Sequence, residues 1–234
     1  KPGDEKVEVI DYYDPEQKKI EITLNRQKSP SEKAQLFFKK YHKLKNAKVK
    51  AKEEIEQTNN EIAYLDGIID QINHAREQDI EEIREELREQ GYLKKKATAN
   101  KKRKNKPSKP MPESFRSTDG IDILVGKNNK QNEYVTNQLA RKNDIWLHTK
   151  DIPGSHVVIR SDNPSEQTLY EAAELAAYFS KAGNSSSVPV DYTKIKHVRK
   201  PKGAKPGYVI YDHQKTIYVT PDPELIEKLS RNDQ

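Results

Sequence analysis

Residues 144–160 read DIWLHTKDIPGSHVVIR, the stretch that decides how the C-terminal half of this chain folds. Two runs, 144–148 and 156–160, have the length of short strands, and Pro153 and Gly154 lie between them. A Pro-Gly pair between two such runs predicts a turn that joins neighbouring strands. The surrounding sequence must therefore supply the rest of a sheet.

Outward from this pair, further strands are mixed with a few helices. Strands are also predicted at 114–117, 121–125, 188–192, 208–211 and 216–219, and helices at 133–139, 165–182 and 223–229. The pattern at 165–182 is the clearest, because Leu169, Ala172 and Leu175 share one apolar face and Gly183 follows it. These elements predict a compact mixed α/β domain over residues 113–234, large enough to bury a core.

Upstream lies the pattern of a long helix. Ser29, Pro30 and Glu32 combine a capping box with Pro at the first helical position. From there a 3-4 spacing typical of a coiled coil continues over a span of roughly 60 Å. We call this stripe the seam; its members are Ala34, Phe37, Tyr41, Leu44, Lys48, Ala51, Ile55, Thr58, Ile62, Leu65, Ile69 and Ile72.

A short return helix is predicted to begin at Asp79, with Asp79 and Glu82 as a capping pair, and to end at Gly91. It is too short to cover the seam, so we expect either self-association through the seam or a partner helix upstream. A β-hairpin is predicted over 7–24, and two strands alone are marginal in water. The chain also starts without Met. We therefore expect a fragment of a longer protein.

The predicted fold class is α+β, in four segments. They are a hairpin remnant at 1–28, coiled-coil helices at 29–93, a basic linker at 94–112 and the compact domain at 113–234. The linker is predicted from its three prolines and its lack of apolar periodicity.

Charge is distributed in blocks along the 234 residues, and the net charge of +6 conceals them. Residues 53–89 hold 13 acidic and three basic residues, whereas 94–112 hold nine basic residues and 192–211 hold six Lys or Arg, both without an acid. Each block alone is typical of a solvated surface, but the two basic blocks together favour a polyanionic partner.

The absence of cysteine excludes disulfides and thiolate chemistry. No apolar run approaches the roughly 18 residues of a membrane span, so we expect no membrane insertion.

The stretch at 144–160 is also the densest in chemical groups. His148, Asp151 and His156 suggest a metal or phosphate site, but the two histidines are equally compatible with ordinary strand positions, and no further metal ligand is evident. Ser155 beside His156 lacks a nucleophile elbow and an orienting carboxylate. We therefore predict a protein that is not an enzyme and has no cofactor and no metal site.

Two loops are candidates for phosphate contact. Residues 126–132, GKNNKQN, precede a helix, where backbone N–H groups and two lysines could hold a phosphate, or where the loop could be a simple turn and cap. Residues 194–205 form an extended basic loop suited to a nucleic-acid backbone. Tyr192 and Tyr208 flank it and suit either base stacking or the core. The predicted nucleic-acid-binding residues are Lys127, Lys130, Arg141, His148, Lys150, His156, Arg160, Lys194, Lys196, His197, Arg199, Lys200, Lys202 and Lys205.

Several strings resemble the NFACT family over nearly the whole chain. They are DYYD at 11–14, SPSEKAQ at 29–35, FKKY at 38–41, GKNNKQN at 126–132, DIWLH at 144–148 and PGSHVVIR at 153–160. The last two together are highly specific. The resemblance places the end of the family's middle segment, its second coiled-coil arm and its RNA-binding domain in this chain. The resemblance implies that the N-terminal domain, the helix-hairpin-helix region and the first arm, which would cover the seam, lie outside this chain.

The resemblance implies a cytoplasmic ribosome quality-control factor. Such proteins bind the large ribosomal subunit at stalled peptidyl-tRNA, contact rRNA and tRNA, and support C-terminal tailing, with alanine in bacteria. This chain alone should bind but not sustain tailing. The same family has been described as adhesins for host fibronectin or fibrinogen, which implies a bacterial cell-surface location as the alternative. A purely structural coiled-coil protein would explain residues 30–90 but not the C-terminal domain.

Overall fold

The computed structural model describes residues 5–24, 28–94 and 109–231. It divides into two compact units, residues 1–61 and 62–234, each described here by itself. The first unit begins with the hairpin that the sequence predicts, β1 (Lys6–Ile10) paired antiparallel with β2 (Lys19–Thr23). Most of the predicted basic linker, residues 95–108, lies outside the described residues. The four predicted segment boundaries remain predictions.

The long helix α1 spans Pro30–Asn73 and has 44 residues. Its predicted capping box is present, because Ser29 Oγ accepts the Glu32 N–H at 3.2 Å and a Glu32 carboxylate oxygen accepts the Ser29 N–H at 2.8 Å. In the first unit the seam side chains Phe37, Tyr41 and Ile55 are more than half exposed. The stripe is therefore solvent-facing along this part of α1, and its pairing in a coiled coil stays a prediction.

The second unit contains the last turns of α1, the return helix and the C-terminal domain. The return helix α2 spans Glu77–Glu89, so it starts two residues earlier than predicted. Asp79 is its third residue and accepts the Arg76 N–H at 2.9 Å, which corrects the prediction that Asp79 is the N-cap. After α2, Gly91 adopts φ +86°, a left-handed conformation that suits glycine and ends the helix as predicted.

A six-stranded antiparallel sheet organises the C-terminal domain, in the order β10-β7-β5-β6-β4-β3. Two further short strands form a separate ribbon, β8 with β9. The strands are β3 (Glu113–Arg116), β4 (Asp122–Val125), β5 (Ile145–Thr149), β6 (Val157–Ile159), β7 (Val188–Lys194), β8 (Val198–Arg199), β9 (Ile210–Tyr211) and β10 (Lys215–Val219). The helices are α3 (Asn129–Tyr134), which continues into a π-helical turn (Val135–Leu139), α4 (Glu166–Tyr178) and α5 (Pro223–Arg231), with a 3₁₀ turn at Ile195–His197.

These elements confirm the mixed α+β class, with local corrections. The helix predicted at 165–182 ends at Tyr178, because residue Ser180 leaves it to form a β-bridge with Gly154. The helix predicted at 133–139 begins earlier, at Asn129, and loosens into the π-helical turn. The strand predicted at 208–211 shortens to its last two residues.

The two faces of the sheet bury different cores, because neighbouring residues of a strand point to opposite sides. One face carries Leu147, Val157 and Ile159 and packs against α4 and α5. The other face carries Trp146 and Val158. It is covered by the π-helical turn, the 3₁₀ turn and the β8–β9 ribbon, which contribute Val135, Leu139, Ile195, Val198 and Tyr211. The start of the basic loop at 194–205, which the sequence predicts to bind nucleic acid, therefore lies on the second face.

None of the helices in the described residues combines the length and apolar character that crossing a membrane requires.

Candidate nucleic-acid interface

The basic loop over 194–205 is held against the second face of the sheet by its backbone and its apolar residues. The Ile195 N–H donates to the Asp144 carbonyl at 3.0 Å, and the Lys196 N–H donates to the Lys142 carbonyl at 3.0 Å. Ile195 and Val198 pack in the cluster around Trp146. The start of the loop is therefore fixed, and its charged side chains project from a supported backbone.

The charged side chains of this loop fall into two groups. Within the described part of the chain, Lys194, Lys196, Arg199 and Lys202 form no ion pair, and the last three are exposed. Arg141 and Lys142 are also exposed, and the backbone contact between residues 142 and 196 brings them to the same end of β5. We call these residues the basic edge: Arg141, Lys142, Lys194, Lys196, Arg199 and Lys202. Sequence reasoning missed Lys142, although its position beside Arg141 could have indicated it.

The second group anchors the loop instead of facing solvent. Lys200 pairs with Glu133 at 2.7 Å. Lys205 Nζ lies 3.8 Å from the centre of the Tyr64 ring and 3.1 Å from the Tyr92 hydroxyl, which joins the far end of the loop to α1 and to the residues after α2. Lys200 and Lys205, two of the residues predicted to contact phosphate, therefore interact with other residues of this protein.

His156 is buried and His148 is only partly exposed, which disfavours direct contact with phosphate, and their role in nucleic-acid binding stays a prediction. The His148 ring stacks on Trp146 at 5.7 Å between centroids and meets His156 edge to face at 5.4 Å. Burial lowers the pKa of His148 to about 4. Burial of His156 holds its pKa well below the ordinary value, and the electrostatic effect of His148 lowers it further. Both rings are therefore neutral near pH 7, and the Thr136 hydroxyl shares a 2.8 Å hydrogen bond with His156 Nδ1.

The side chains of the polar loop at 126–132 interact with carboxylates of the protein itself. The side chains of Asn128, Asn129 and Gln131 donate hydrogen bonds of 2.7–2.9 Å to acidic residues of α2. Lys130 pairs with Glu85 and Glu89 at 3.0 and 3.1 Å. Lys127 is 8% exposed and pairs with Glu113 at 3.1 Å. The side-chain donors of this loop other than Lys127 therefore bind α2. The turn-and-cap alternative is the one observed, with Asn128 accepting the Gln131 N–H.

Of the remaining predicted residues, Arg160 lies next to the basic edge, because it shares the Asp144 carboxylate with the Arg141 N–H. Arg160 donates to the Leu139 carbonyl at 2.8 Å and pairs with Asp144 at 3.4 Å, so it links β6 to the π-helical turn. Lys150 is exposed but follows the opposite end of β5. Tyr192 packs in the core of the first face, whereas Tyr208 is 56% exposed.

Two family models match this chain. The NFACT N-terminal and middle domains match residues 1–106, and the NFACT protein RNA binding domain matches residues 111–212. The second match includes the whole basic edge.

Relatives agree with these matches. The chain is 57% identical over 232 residues to the Rqc2 homolog RqcH of Bacillus subtilis and 46% identical over 214 residues to that of Streptococcus suis. These alignments cover 99% and 91% of this chain but 40% and 38% of the relatives, so the chain spans about two fifths of their length.

A solved structure shares the fold. It is the C-terminal part of the fibronectin/fibrinogen-binding protein from Streptococcus suis, with a TM-score of 0.75 and 47% identity, over 84% of this chain and 78% of that one. The domain matches, the sequence identity and the shared fold lead to one conclusion: this chain belongs to the NFACT family.

Proposed function

We propose that this chain is the RNA-binding part of a ribosome quality-control factor, and that its basic edge contacts RNA phosphates. The observation that supports this most directly is a group of cations without ion-pair partners among the described residues, all exposed except the partly exposed Lys194. They lie on a supported backbone within the segment that matches the NFACT RNA-binding domain. Lys and Arg that meet phosphates release counterions, which supplies affinity without base recognition. The edge therefore positions RNA and does not read sequence.

The full proposal places the RNA on a large ribosomal subunit that carries a stalled peptidyl-tRNA. The RqcH relatives support a quality-control role, and rRNA and tRNA are the partners proposed for the edge. The proposed location is the cytoplasm, with the ribosome. Supporting C-terminal tailing is proposed for the longer protein, because the chain covers only part of its relatives. No group of the basic edge has a catalytic role in this proposal.

The first test compares two double variants with equal change in charge. Lys196→Glu with Lys202→Glu alters the edge, whereas Lys215→Glu with Lys228→Glu alters exposed lysines on β10 and α5. Binding of the chain to large ribosomal subunits is measured by co-sedimentation, and binding to a labelled tRNA by fluorescence anisotropy, at several salt concentrations. We expect the edge variant to flatten the slope of log affinity against log salt by about 1 for each lost phosphate contact, and the control variant to retain the wild-type slope.

Equal slopes for the two variants would remove the basic edge from the proposal. Wild-type binding to tRNA but not to ribosomal subunits would keep RNA binding and overturn the ribosomal assignment.

Fibronectin or fibrinogen binding is the second candidate, and it rests on the name of the structurally similar Streptococcus suis protein. Saturable binding to fibronectin that is insensitive to salt and unchanged in the edge variant would favour it. Loss of fibronectin binding at raised salt would instead indicate nonspecific attraction to the basic surface.

A further inference from the structure

Two histidines and an aspartate meet where the turn after β9 passes the 3₁₀ turn. Nδ1 of His213 lies 2.7 Å from Oδ1 of Asp212, and Nδ1 of His197 lies 3.3 Å from the same oxygen. Each residue offers a ligand atom, and the three atoms lie within 4.8 Å of one another. The two imidazole rings stack with centroids 4.4 Å apart. Three metal-ligating groups from two separate segments therefore converge on one point.

We propose that His197, Asp212 and His213 form a binding site for a divalent transition-metal ion, with Zn²⁺ as the best match. Zinc binds imidazole nitrogen and carboxylate oxygen at about 2.0–2.2 Å, so two ligand atoms of a tetrahedral site lie about 3.3 Å apart. Of the two nitrogen-to-oxygen distances here, 3.3 Å matches that separation, whereas 2.7 Å is a hydrogen-bond distance that must lengthen when an ion binds. Binding of one ion by all three atoms requires side-chain rotation, for which Asp212 and His213 are exposed and His197 is partly exposed.

The backbone already holds these residues together. The Asp212 N–H donates to the His197 carbonyl at 3.3 Å, and the Asp212 carbonyl accepts the Thr193 hydroxyl at 3.0 Å. His213 adopts φ +56°, a left-handed conformation that is uncommon outside glycine. The backbone of the turn therefore places Asp212 and His213 beside His197 in the absence of an ion.

The groups around the cluster act in both directions on a cation. The Asp212 carboxylate favours it, whereas His213 Nδ1 must give up its hydrogen bond to that carboxylate and be deprotonated before it can bind the ion. Arg199 also acts on Asp212 electrostatically, and its positive charge opposes a bound cation. Three protein ligands leave a fourth zinc position open to water or to an anionic oxygen. The site is thus of the open type, not of the closed structural type.

No other group of three such ligands converges among the described residues. In particular, the metal alternative considered for His148, Asp151 and His156 does not form. The proposal is independent of RNA binding, since it needs only the three side chains and the ion.

The test is a titration of the tag-free chain with Zn²⁺ by calorimetry and with Co²⁺ by visible absorbance. We expect one ion per chain and cobalt bands typical of nitrogen and oxygen ligands. His197→Ala, Asp212→Asn and His213→Ala should each weaken binding by more than about tenfold, because loss of a direct ligand exceeds the usual effect of an outer-shell partner. His42→Ala and His74→Ala, which alter exposed histidines elsewhere, should bind as the wild type does.

Circular dichroism checks that each variant is folded, and the exposed positions of Asp212 and His213 make unfolding unexpected. Absence of wild-type binding, or equal binding by wild type and the three ligand variants, would overturn the site. Loss of binding in the His42 or His74 variants would move the ion to a different part of the chain and would overturn this assignment as well.

Discussion

Gln131 is the residue whose replacement should most clearly uncouple α2 from the RNA-binding domain. Its side chain is fully buried and makes three hydrogen bonds. Nε2 donates to Asp79 and Glu82, both at 2.8 Å, and Oε1 accepts the Lys127 N–H at 3.0 Å. One amide therefore satisfies two carboxylates and a backbone donor.

Gln131→Leu keeps a similar volume but removes all three hydrogen bonds. The Lys127 N–H is then left buried without its partner, at a cost of about 1–3 kcal/mol. Each carboxylate loses a hydrogen bond worth roughly 1.5–3 kcal/mol, although Asp79 keeps the Arg76 N–H and Glu82 keeps Asn128. Leucine recovers part of this loss by apolar burial. We expect the free energy of unfolding of the second unit to fall by about 3 kcal/mol or more.

Urea unfolding measures this change, with Trp146 as the reporter because it is the only tryptophan and is fully buried. Gln167→Leu is the matched control, since Gln167 is exposed and makes one side-chain hydrogen bond, to Glu171. It should alter stability by less than about 0.5 kcal/mol. A loss below about 1 kcal/mol in Gln131→Leu with an unchanged m-value would refute the reasoning, because α2 would then not depend on these buried hydrogen bonds.

Two further outcomes are expected. Because the folded-state pKa of His148, about 4, lies below the ordinary 6.5, stability should be greatest above pH 6.5 and should fall towards pH 4 by up to about 3 kcal/mol. Urea midpoints across this range measure the fall; His148→Gln should reduce it, and an unchanged pH profile would contradict the burial argument. Lys205→Met should weaken the anchor on Tyr64 by about 1 kcal/mol and speed hydrogen exchange at 200–209, whereas Lys205→Arg retains the cation and should restore protection. Equal exchange in Lys205→Met and wild type would show that the loop does not depend on this contact.

The elements of this fold that were predictable have strong local signals. The capping box at Ser29 and Glu32 and the stop at Gly91 each act within a few residues, and both occur as predicted. The strands on either side of Pro153 also form. Where a helix or strand ends at a different residue from the predicted one, tertiary contacts determine the end instead. The bridge from Ser180 to Gly154 joins residues distant in sequence, and no local pattern at the end of α4 reveals it.

The candidate site was predictable in composition but not in arrangement. The sequence shows that 194–205 is basic, but it does not show that Lys200 meets Glu133, 67 residues away, or that Lys205 meets Tyr64. The burial of His156 and the partial burial of His148 were equally hidden, because polar residues in or beside a strand fit either a solvent-facing or a buried side. The cluster of His197, Asp212 and His213 depends on a turn that brings the two segments together.

The whole chain has a net charge of +6, but the separation of its positive and negative residues matters more for where a polyanion would bind the second unit. The carboxylates of α2 are directed at the polar loop of 126–132, where Lys130 alone meets two of them. That pairing neutralises one basic region from within, whereas the residues of the basic edge have no described ion pair. An RNA backbone would therefore be repelled by the acidic side of α2 and attracted to the edge, and the acidic helix would help to restrict RNA to one surface.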